Sequence, residues 1–311
     1  MKKLLVLVLT VALVFGMFAC AAPAPATEAT EAPAAATEAP AAEATEAPAA
    51  ATLYIPVISK GFQHKFWQTV MSGSQDAAAK YGVEITFDGP PSESDISVQV
   101  DMLNAAMAKK PAALCLAALD TESVTEQLQA CKDAGIPVIG FDSGVPNAPE
   151  GSIISTASTD NTAAGALAAD KMYAIESVAA AVAAATKDAP VVISVISQDA
   201  TSASITGRTT GFVDEMFKLC DAAQPGLVSV TGHDKWNKAS SSGDTAVEIL
   251  VSIAATTSVV DCQAAAQAVI QKAPIGVFCT NSGSVDGMLA ATADGSDLDR
   301  VNGRYKDMVV I

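Results

Sequence analysis

The sequence predicts an α/β protein made of two doubly wound parallel-sheet lobes with a ligand cleft between them. From residue 52 onward, short apolar runs alternate with helical patterns, which is typical of parallel strands buried on both faces. The alternation then restarts, because the runs LYIPVIS and VVISVIS both resemble the first strand of a lobe. We therefore expect a first lobe over residues 52–157 and a second lobe over residues 158–311.

The first lobe is predicted to contain four strands separated by three helices. The strand sequences are, in order, LYIPVIS, VEITF, AALCLA and IPVIGF. Apolar residues at helical spacing mark the first two helices, with Phe66, Val70, Gly73, Ala77 and Tyr81 in one and Ile96, Val100, Leu103 and Met107 in the other. The third helix covers residues 122–134. Gly82 and Gly135 follow the first and third helices and predict their ends.

The second lobe is predicted to begin with an alanine-rich helix over residues 161–185. The strand VVISVIS, a helix over 206–222, the strand LVSVTG, helices through 239–272, the strand IGVFCT and a helix over 284–293 follow. The sequence stops on a strand-like run, KDMVVI. Since a parallel strand normally leads into a loop at its carboxyl end, we expect a C-terminally incomplete chain, the alternative being a terminal edge strand.

The first 20 residues have the pattern of an export signal. Lys2 and Lys3 precede a fifteen-residue apolar run, Leu4–Phe18, which is shorter than the roughly 20 residues of a membrane span. Ala19 followed by Cys20 resembles the lipobox of bacterial lipoproteins, in which the cysteine is acylated. We expect an exported protein anchored by lipid at Cys20 to the outer face of the cell membrane or in the periplasm. The alternative is an ordinary cleaved signal.

Residues 21–51 are predicted to be a disordered tether. This stretch repeats T-E-A-P, and it has five glutamates, no basic residue and no large apolar side chain. Such a segment buries too little apolar surface to offset the entropy of ordering it.

The charge and the cysteine spacing argue against a nucleic-acid-binding protein and against a metal site. The formal net charge is −16, and the chain stays strongly acidic without its first 51 residues, which argues against a nucleic-acid partner. The five cysteines after Cys20 form no CxxC pair, so we expect no metal site and buried free thiols. A disulfide between Cys220 and Cys262 is the alternative.

Polar and aromatic residues gather where the predicted strands end, which is where open α/β sheets bind ligands. The first strand leads into SKGFQHKFW, which contains three aromatic residues, and IPVIGF leads into Asp142 and Ser143. The later strands lead into QDATSASITGR, ending at Arg208, into a loop with Trp236, and into Asn281.

This set of residue types suits a sugar. Aromatic rings stack on the C–H faces of a pyranose, a carboxylate accepts hydrogen bonds from its hydroxyls, and Arg and Asn donate to others. We interpret Phe66 and Trp67 as walls of a sugar slot, with His64 on its rim. Each residue also has an ordinary structural explanation: Phe66 as core, His64 as a solvated loop residue, Asp142 as a turn or cap, Arg208 paired with Asp214 or Glu215, and Asn281 as a helix N-cap.

The segments VISKGFQHKFW, GIPVIGFDSGV, STDNTAAG, TSASITGRTTGF and FCTNSGSVDG, in this order, resemble the ribose-binding-type periplasmic binding proteins. These are the sugar receptors of ABC importers and have the type I periplasmic binding protein fold. The resemblance implies a ligand site made of His64, Phe66, Trp67, Asp142, Ser143, Arg208, Trp236 and Asn281. It also implies hinge closure, with STASTDN as the first crossing between lobes. The implied protein is a monomer that delivers a monosaccharide to a membrane permease and has no catalytic residue, metal or cofactor.

Two other function classes remain open. The same fold would serve a sensory receptor that presents a small sugar-like signal molecule to a signalling partner. An enzyme is less favoured, because the dinucleotide motif G-x-G-x-x-G is absent after the first strand and no motif supports Asp142 and Asp234 as a glycosidase pair.

Overall fold

Two five-stranded parallel sheets form the frame of the protein in a computed structural model, which describes residues 52–62 and 64–311. The first sheet has the order β2-β1-β3-β4-β5. Its strands are β1 (Tyr54–Ile58), β2 (Glu84–Asp88), β3 (Leu114–Leu116), β4 (Val138–Phe141) and β5 (Ile153–Ala157). Three helices accompany them: α1 (Lys65–Tyr81), α2 (Ile96–Ala108) and α3 (Thr125–Asp133). These elements make up the first lobe.

The second sheet has the order β10-β9-β6-β8-β7. Its strands are β6 (Val191–Ser197), β7 (Val228–Thr231), β8 (Val247–Ile253), β9 (Gly276–Cys279) and β10 (Val309–Val310). The helices of this second lobe are α4 (Asn161–Tyr173), α5 (Glu176–Ala184), α6 (Ala203–Ala223), α7 (Val259–Ile270) and α8 (Ser282–Ala291). The prediction of two parallel-sheet α/β lobes is confirmed.

One predicted helical stretch contains a strand. We expected helices through residues 239–272, but Val247–Ile253 is β8, which pairs in parallel with all seven residues of β6. Val247, Ile249 and Val251 are fully buried and alternate with more accessible neighbours. Burial of alternate residues between two other strands is therefore what makes this segment a strand.

The predicted helix over residues 161–185 is also wrong in one respect, because it is two helices. The chain turns out of α4 at Ala174 and enters α5 at Ile175, whose backbone is extended. Met172 before the turn and Val178 after it are both buried in the core of the second lobe. The turn allows α5 to place a second apolar face on the same core.

Residues 155–157, which we assigned to the first crossing between lobes, form the end of β5. Their backbone pairs with β4 in the first sheet, and α4 of the second lobe begins at Asn161. The connection between the two lobes is therefore the short stretch between these elements.

The five cysteines of the described residues are free thiols, as predicted, and Cys220 and Cys262 form no disulfide. Burial raises the pKa of Cys220 and of Cys279 to about 12, and burial together with nearby carboxylates raises the pKa of Cys262 to about 11. These thiols are protonated at neutral pH and therefore poor nucleophiles.

The predicted signal peptide, the tether and Cys20 lie outside the described residues. Within the described part of the chain, no helix has the length and apolar character needed to cross a membrane.

Candidate functional site

A cavity of about 220 Å³ lies between the lobes, at the carboxyl ends of both sheets. The first lobe lines it with residues from the loops after β1, β2 and β4 and from the start of α1: Lys60, His64, Phe66, Trp67, Glu93 and Asp142. The second lobe lines it from the first two turns of α6, the first turn of α8 and the residue before α8: Ser204, Ile205, Arg208, Asn281 and Ser282. The cavity is somewhat smaller than the ~300–1,000 Å³ of drug-sized pockets, so it favours a small ligand.

Phe66 and Trp67 form an aromatic wall of this cavity. Their ring centroids are 4.9 Å apart at an interplanar angle of 76°. Trp67 is 2% exposed, and its Nε1 donates a hydrogen bond to Glu93 Oε1 at 2.7 Å. Phe66 is 46% exposed, so it is not the core residue that the helical stripe of α1 allowed. The structure therefore brings both predicted rings to the cavity.

Asp142 also lines the cavity and is paired with Lys60. The distance from Lys60 Nζ to Asp142 Oδ2 is 3.2 Å, and the same Nζ donates to Ser204 Oγ at 3.2 Å across the lobe boundary. Burial acts to lower the pKa of Lys60, but Asp142, Glu93 and Asp199 outweigh burial and raise it, so the amine stays charged.

The backbone of Asp142 has a φ of 54°, in the left-handed region that Asp tolerates better than most residues. Its amide donates to Ala157 O, at the end of β5, at 3.0 Å. Asp142 does not cap a helix; the turn after β4 holds its carboxylate at the cavity.

Arg208 extends into the cavity from the second turn of α6. Its Nε donates to Asn161 Oδ1 at 2.8 Å, and its Nη1 donates to Thr280 O at 2.9 Å. It does not pair with Asp214 or Glu215, the surface partners that the sequence allowed; Glu215 pairs with Lys218. Neutral oxygens thus orient the guanidinium, and its remaining donors are available to a ligand.

Asn281 is the N-cap of α8 and also lies at the cavity. Its Oδ1 accepts from Ser284 N at 3.1 Å, and Ser284 Oγ accepts from Asn281 N at 3.1 Å, which makes a capping box at the start of α8. The side-chain amide also lines the cavity and donates to Gln198 Oε1.

His64 is buried at the cavity rather than solvated. Its Nε2 is 3.7 Å from Glu93 Oε1, and its Nδ1 is 3.9 Å from Asp286 Oδ2. Both distances exceed a hydrogen bond, and Nε2 has no hydrogen-bond partner among the described residues. A buried ring nitrogen of this kind is suited to a polar group of a ligand.

Two predicted site residues do not line the cavity. Ser143 is fully buried behind it, where its Oγ accepts from Ser204 N at 3.1 Å and so holds the first turn of α6. Trp236 packs on the other side of α6, with its Nε1 donating to Thr210 Oγ1 at 2.9 Å. The reason is that residues 233–238 fold back along β7, where Val230 and Lys238 form a backbone bridge.

Trp236 instead lines a separate cavity of about 390 Å³ on the second lobe, together with Phe217 and Lys238. The structure does not bring Trp236 to the cavity between the lobes, and Ser143 supports α6 from behind that cavity.

Sequence reasoning missed the lining residues Ser204, Ile205 and Ser282 on α6 and α8. It also missed three residues of strand-end loops: Lys60 and Glu93, which line the cavity, and Gln198, which contacts Glu93 from the second lobe. Each lies in the loop after a strand, β1, β2 or β6, so the same rule of carboxyl ends contained the signal. Lys60 and Gln198 even lie in segments that the reasoning singled out. Neither is aromatic and neither ends its segment, so neither stands out in the sequence.

Direct contacts join the lobes around the cavity. In addition to the Lys60–Ser204 and Ser143–Ser204 hydrogen bonds, Gln198 Nε2 donates to Glu93 Oε2 at 3.0 Å, and Thr201 Oγ1 donates to Leu119 O at 3.1 Å. The two lobes therefore enclose a small cavity that is lined by aromatic rings, carboxylates and cationic hydrogen-bond donors.

Comparisons with known proteins agree with this architecture. Residues 55–302 match the sequence family described as periplasmic binding protein domain. A solved structure described as an ABC transporter, LacI family transcriptional regulator, from Brachyspira murdochii is 35% identical, with 84% of this chain and 77% of that chain covered and a TM-score of 0.62. No curated protein sequence matches the chain.

Two further structures carry sugars. An ABC transporter solute-binding protein from Agrobacterium vitis with bound D-fucose is 25% identical over 78% of this chain and 73% of that chain, with a TM-score of 0.61. A carbohydrate transporter solute-binding protein from Agrobacterium radiobacter with D-arabinose is 24% identical over 84% and 76% of the two chains, with a TM-score of 0.61, which shows the shared fold.

Proposed function

Because the chain belongs to the periplasmic binding protein domain family, we propose that it is the substrate-binding protein of an ABC importer, with a monosaccharide or similar small polyol as its ligand. The observation that carries the proposal is the cavity itself. An aromatic wall, an oriented carboxylate at Asp142 and an oriented guanidinium at Arg208 surround a space that suits a small polar ligand.

The two lobes contribute different chemistry to the ligand. The first lobe supplies the rings of Phe66 and Trp67 and the acceptor Asp142, whereas the second lobe supplies the donors Arg208 and Asn281. A sugar that contacts both lobes stabilises the closed arrangement relative to an open one, and hinge closure then signals occupancy to a membrane permease. The sugars in the two Agrobacterium structures support a monosaccharide as the ligand class.

The export pattern of the first 51 residues supports the location. We propose that the mature protein is anchored by lipid at Cys20, with residues 21–51 as a tether that lets the lobes reach the permease. Binding without turnover is the expected activity.

A ligand screen tests the proposal. We expect one or more pentoses, hexoses or polyols to raise the Tm by several degrees, because a ligand at 100 times its Kd adds about 2.7 kcal/mol to stability. Calorimetry then gives the Kd, and assays for consumption of the sugar should show none. Failure of every sugar and polyol to bind would contradict the proposal.

Substitutions in the cavity test the site. We expect Asp142→Ala or Arg208→Ala to weaken binding by about 1–3 kcal/mol, because ligand hydroxyls would be left unpaired in a closed cavity. Asp214→Ala is the matched control, since Asp214 lies on α6 but is exposed outside this cavity. Unchanged calorimetric affinity in both cavity variants would rule out this site.

A further inference from the structure

A chain of three side-chain hydrogen bonds crosses from one lobe to the other beside the cavity. Trp67 Nε1 donates to Glu93 Oε1 at 2.7 Å, Gln198 Nε2 donates to Glu93 Oε2 at 3.0 Å, and Asn281 Nδ2 donates to Gln198 Oε1 at 2.5 Å. Trp67 and Glu93 belong to the first lobe, and Gln198 and Asn281 belong to the second. We call these four residues the interlobe chain.

The direction of these hydrogen bonds is fixed from the α8 end. Asn281 Oδ1 is occupied as the helix cap, where it accepts from Ser284 N, so Nδ2 is the group that Asn281 presents to Gln198. Gln198 must therefore present its oxygen to Asn281, which leaves its Nε2 to donate toward Glu93.

The direction is also fixed from the Trp67 end. An indole Nε1 is only a donor, so position 93 must accept from it. Position 93 thus meets a donor on each side and has to accept with both of its oxygens. A carboxylate accepts at both oxygens and satisfies both contacts, whereas an amide there would direct an N–H at another N–H.

Gln198 is packed closely against the start of α8. A Cβ added to Gly283 would lie 2.1 Å from Gln198 Oε1 and 3.0 Å from the His64 ring. Glycine at this position therefore permits the close approach of α8 to the interlobe chain. Gln198 and Glu93 are both buried, and a broken hydrogen bond would leave a buried group unsatisfied.

We propose that Glu93 is a positioning residue of the ligand site, which sets the plane of the Trp67 ring only when Gln198 of the opposite lobe is in contact with it. This inference rests on the proposed function and deepens it, because it links the aromatic wall to lobe closure. When the lobes separate, Glu93 loses the Gln198 donor and the ring loses its fixed acceptor. The stacking surface for the sugar is therefore completed by closure.

The experiment exchanges the two ends of the central hydrogen bond. Glu93→Gln places two donors face to face, and Gln198→Glu places two carboxylates face to face, whereas the double substitution Glu93→Gln/Gln198→Glu restores a donor and an acceptor at the central contact with unchanged net charge. All variants carry Trp236→Phe, so that Trp67 is the sole tryptophan of the chain, which has two. The readouts are Tm without ligand, Trp67 fluorescence and calorimetric sugar affinity.

We expect each single variant to lower the Tm, shift the Trp67 emission and weaken sugar binding by about tenfold or more, because a buried group loses its partner. The double variant should recover the Tm and the emission and bind within about threefold of the parent. A double variant as impaired as the sum of the single variants would overturn the proposal, since a role in packing alone predicts no rescue.

If Gln198→Glu alone fails to fold, the comparison of Glu93→Gln with the double variant tests the same rescue. The failures of the two proposals are distinguishable. A parent protein that binds no sugar contradicts the proposed function, while the Tm and the Trp67 emission still decide for or against the interlobe chain.

Discussion

Lys60 is a buried cation that joins three parts of the site. Its amine contacts Asp142 in its own lobe and Ser204 in the other, and it lies 5.8 Å from the centre of a Trp67 ring. A buried charge of this kind is costly unless it is paired, so its partners hold one another in place. Lys60 thus helps to hold the Asp142 carboxylate at the cavity, which both residues line.

We expect Lys60→Met to lower the free energy of unfolding by about 3 kcal/mol, because it leaves the Asp142 carboxylate without its partner in a largely buried position. Urea unfolding measures the change. The pKa of Lys60 is raised above its ordinary 10.5, so the contribution of the charged amine is complete below that pH and is lost only as the pH rises through the higher folded value. The difference between the two proteins should therefore be constant from about pH 6 to 9.

Lys65→Met is the control, because Lys65 is exposed at the start of α1. An equal, small effect of both substitutions would show that the Lys60–Asp142 contact does not stabilise the fold.

At the residue scale, sequence reasoning identified side chains whose chemistry is conspicuous at a strand end, such as Trp67 and Asp142. It missed Glu93 because a carboxylate in a loop usually lies in water, and only the fold shows that an indole and an amide enclose it. It misplaced Trp236 because the path of a loop after its strand depends on backbone contacts such as the Val230–Lys238 bridge, which no residue pattern announces.

At the element scale, the crossing of α4 and α6 determines where Arg208 lies. Both helices carry a glycine at the crossing: a Cβ on Gly165 would lie 2.1 Å from Arg208 O, and a Cβ on Gly211 would lie 2.0 Å from Thr162 O. The two backbones are therefore in contact, and the side chain of Asn161 on α4 meets Arg208 on α6.

We expect Gly165→Ala to destabilise the protein by about 3 kcal/mol or more, because the added methyl group overlaps backbone and forces the helices apart. The same displacement should weaken sugar binding through Arg208. Unfolding in urea and calorimetry on the folded fraction measure the two effects.

Gly73→Ala is the matched control, since Gly73 lies within α1 and nothing is within 4 Å of the position of its Cβ. It should stabilise the protein by about 0.5–1 kcal/mol. A Gly165→Ala protein that is as stable as the Gly73→Ala control would show that the backbones of α4 and α6 are not in close contact.

Most elements could be predicted, because buried parallel strands and amphipathic helices have distinct periods. The β8 strand was missed because residues 239–272 were taken together as one helical stretch, although β8 is flanked by segments rich in Ser, Thr and Gly, at residues 239–246 and 254–258, that are typical of loops. Val247–Ile253 is a strand because it pairs with β6 on one side and with β7 on the other. This pairing depends on the order of strands in the whole sheet, which the local sequence does not contain.

At the scale of the whole molecule, the lobes also meet next to the cavity residue Glu93, through the following residue, Ser94. Ser94 in the first lobe and Thr257 in the second have hydroxyl oxygens 3.2 Å apart, and Thr257 N donates to Ser94 Oγ at 3.0 Å. Cysteines at these two positions test a covalent link between the lobes at this contact.

We expect a disulfide in the Ser94→Cys/Thr257→Cys variant, formed with sugar bound, to slow release of the sugar by at least about tenfold, because release requires the lobes to separate. Release of a labelled sugar after dilution measures the rate. The same variant kept reduced is the control, and the buried native thiols stay out of the reaction. Equal release rates in the oxidised and reduced forms would contradict hinge closure.

Which side chains meet across the two lobes could not be predicted from the sequence. The pairs Lys60–Ser204 and Glu93–Gln198 are more than 100 positions apart, and their contact depends on the relative placement of two separately formed sheets. The family resemblance predicts a cleft between the lobes, but it does not predict which hydrogen bonds cross that cleft.

Each half of the protein contains one tryptophan, Trp67 in the first lobe and Trp236 in the second, and both are buried. The fluorescence of each tryptophan therefore reports on the unfolding of its own half of the protein. Single-tryptophan versions report whether the halves melt as one two-state unit or in succession, and hence how much of the stability of either half depends on the other.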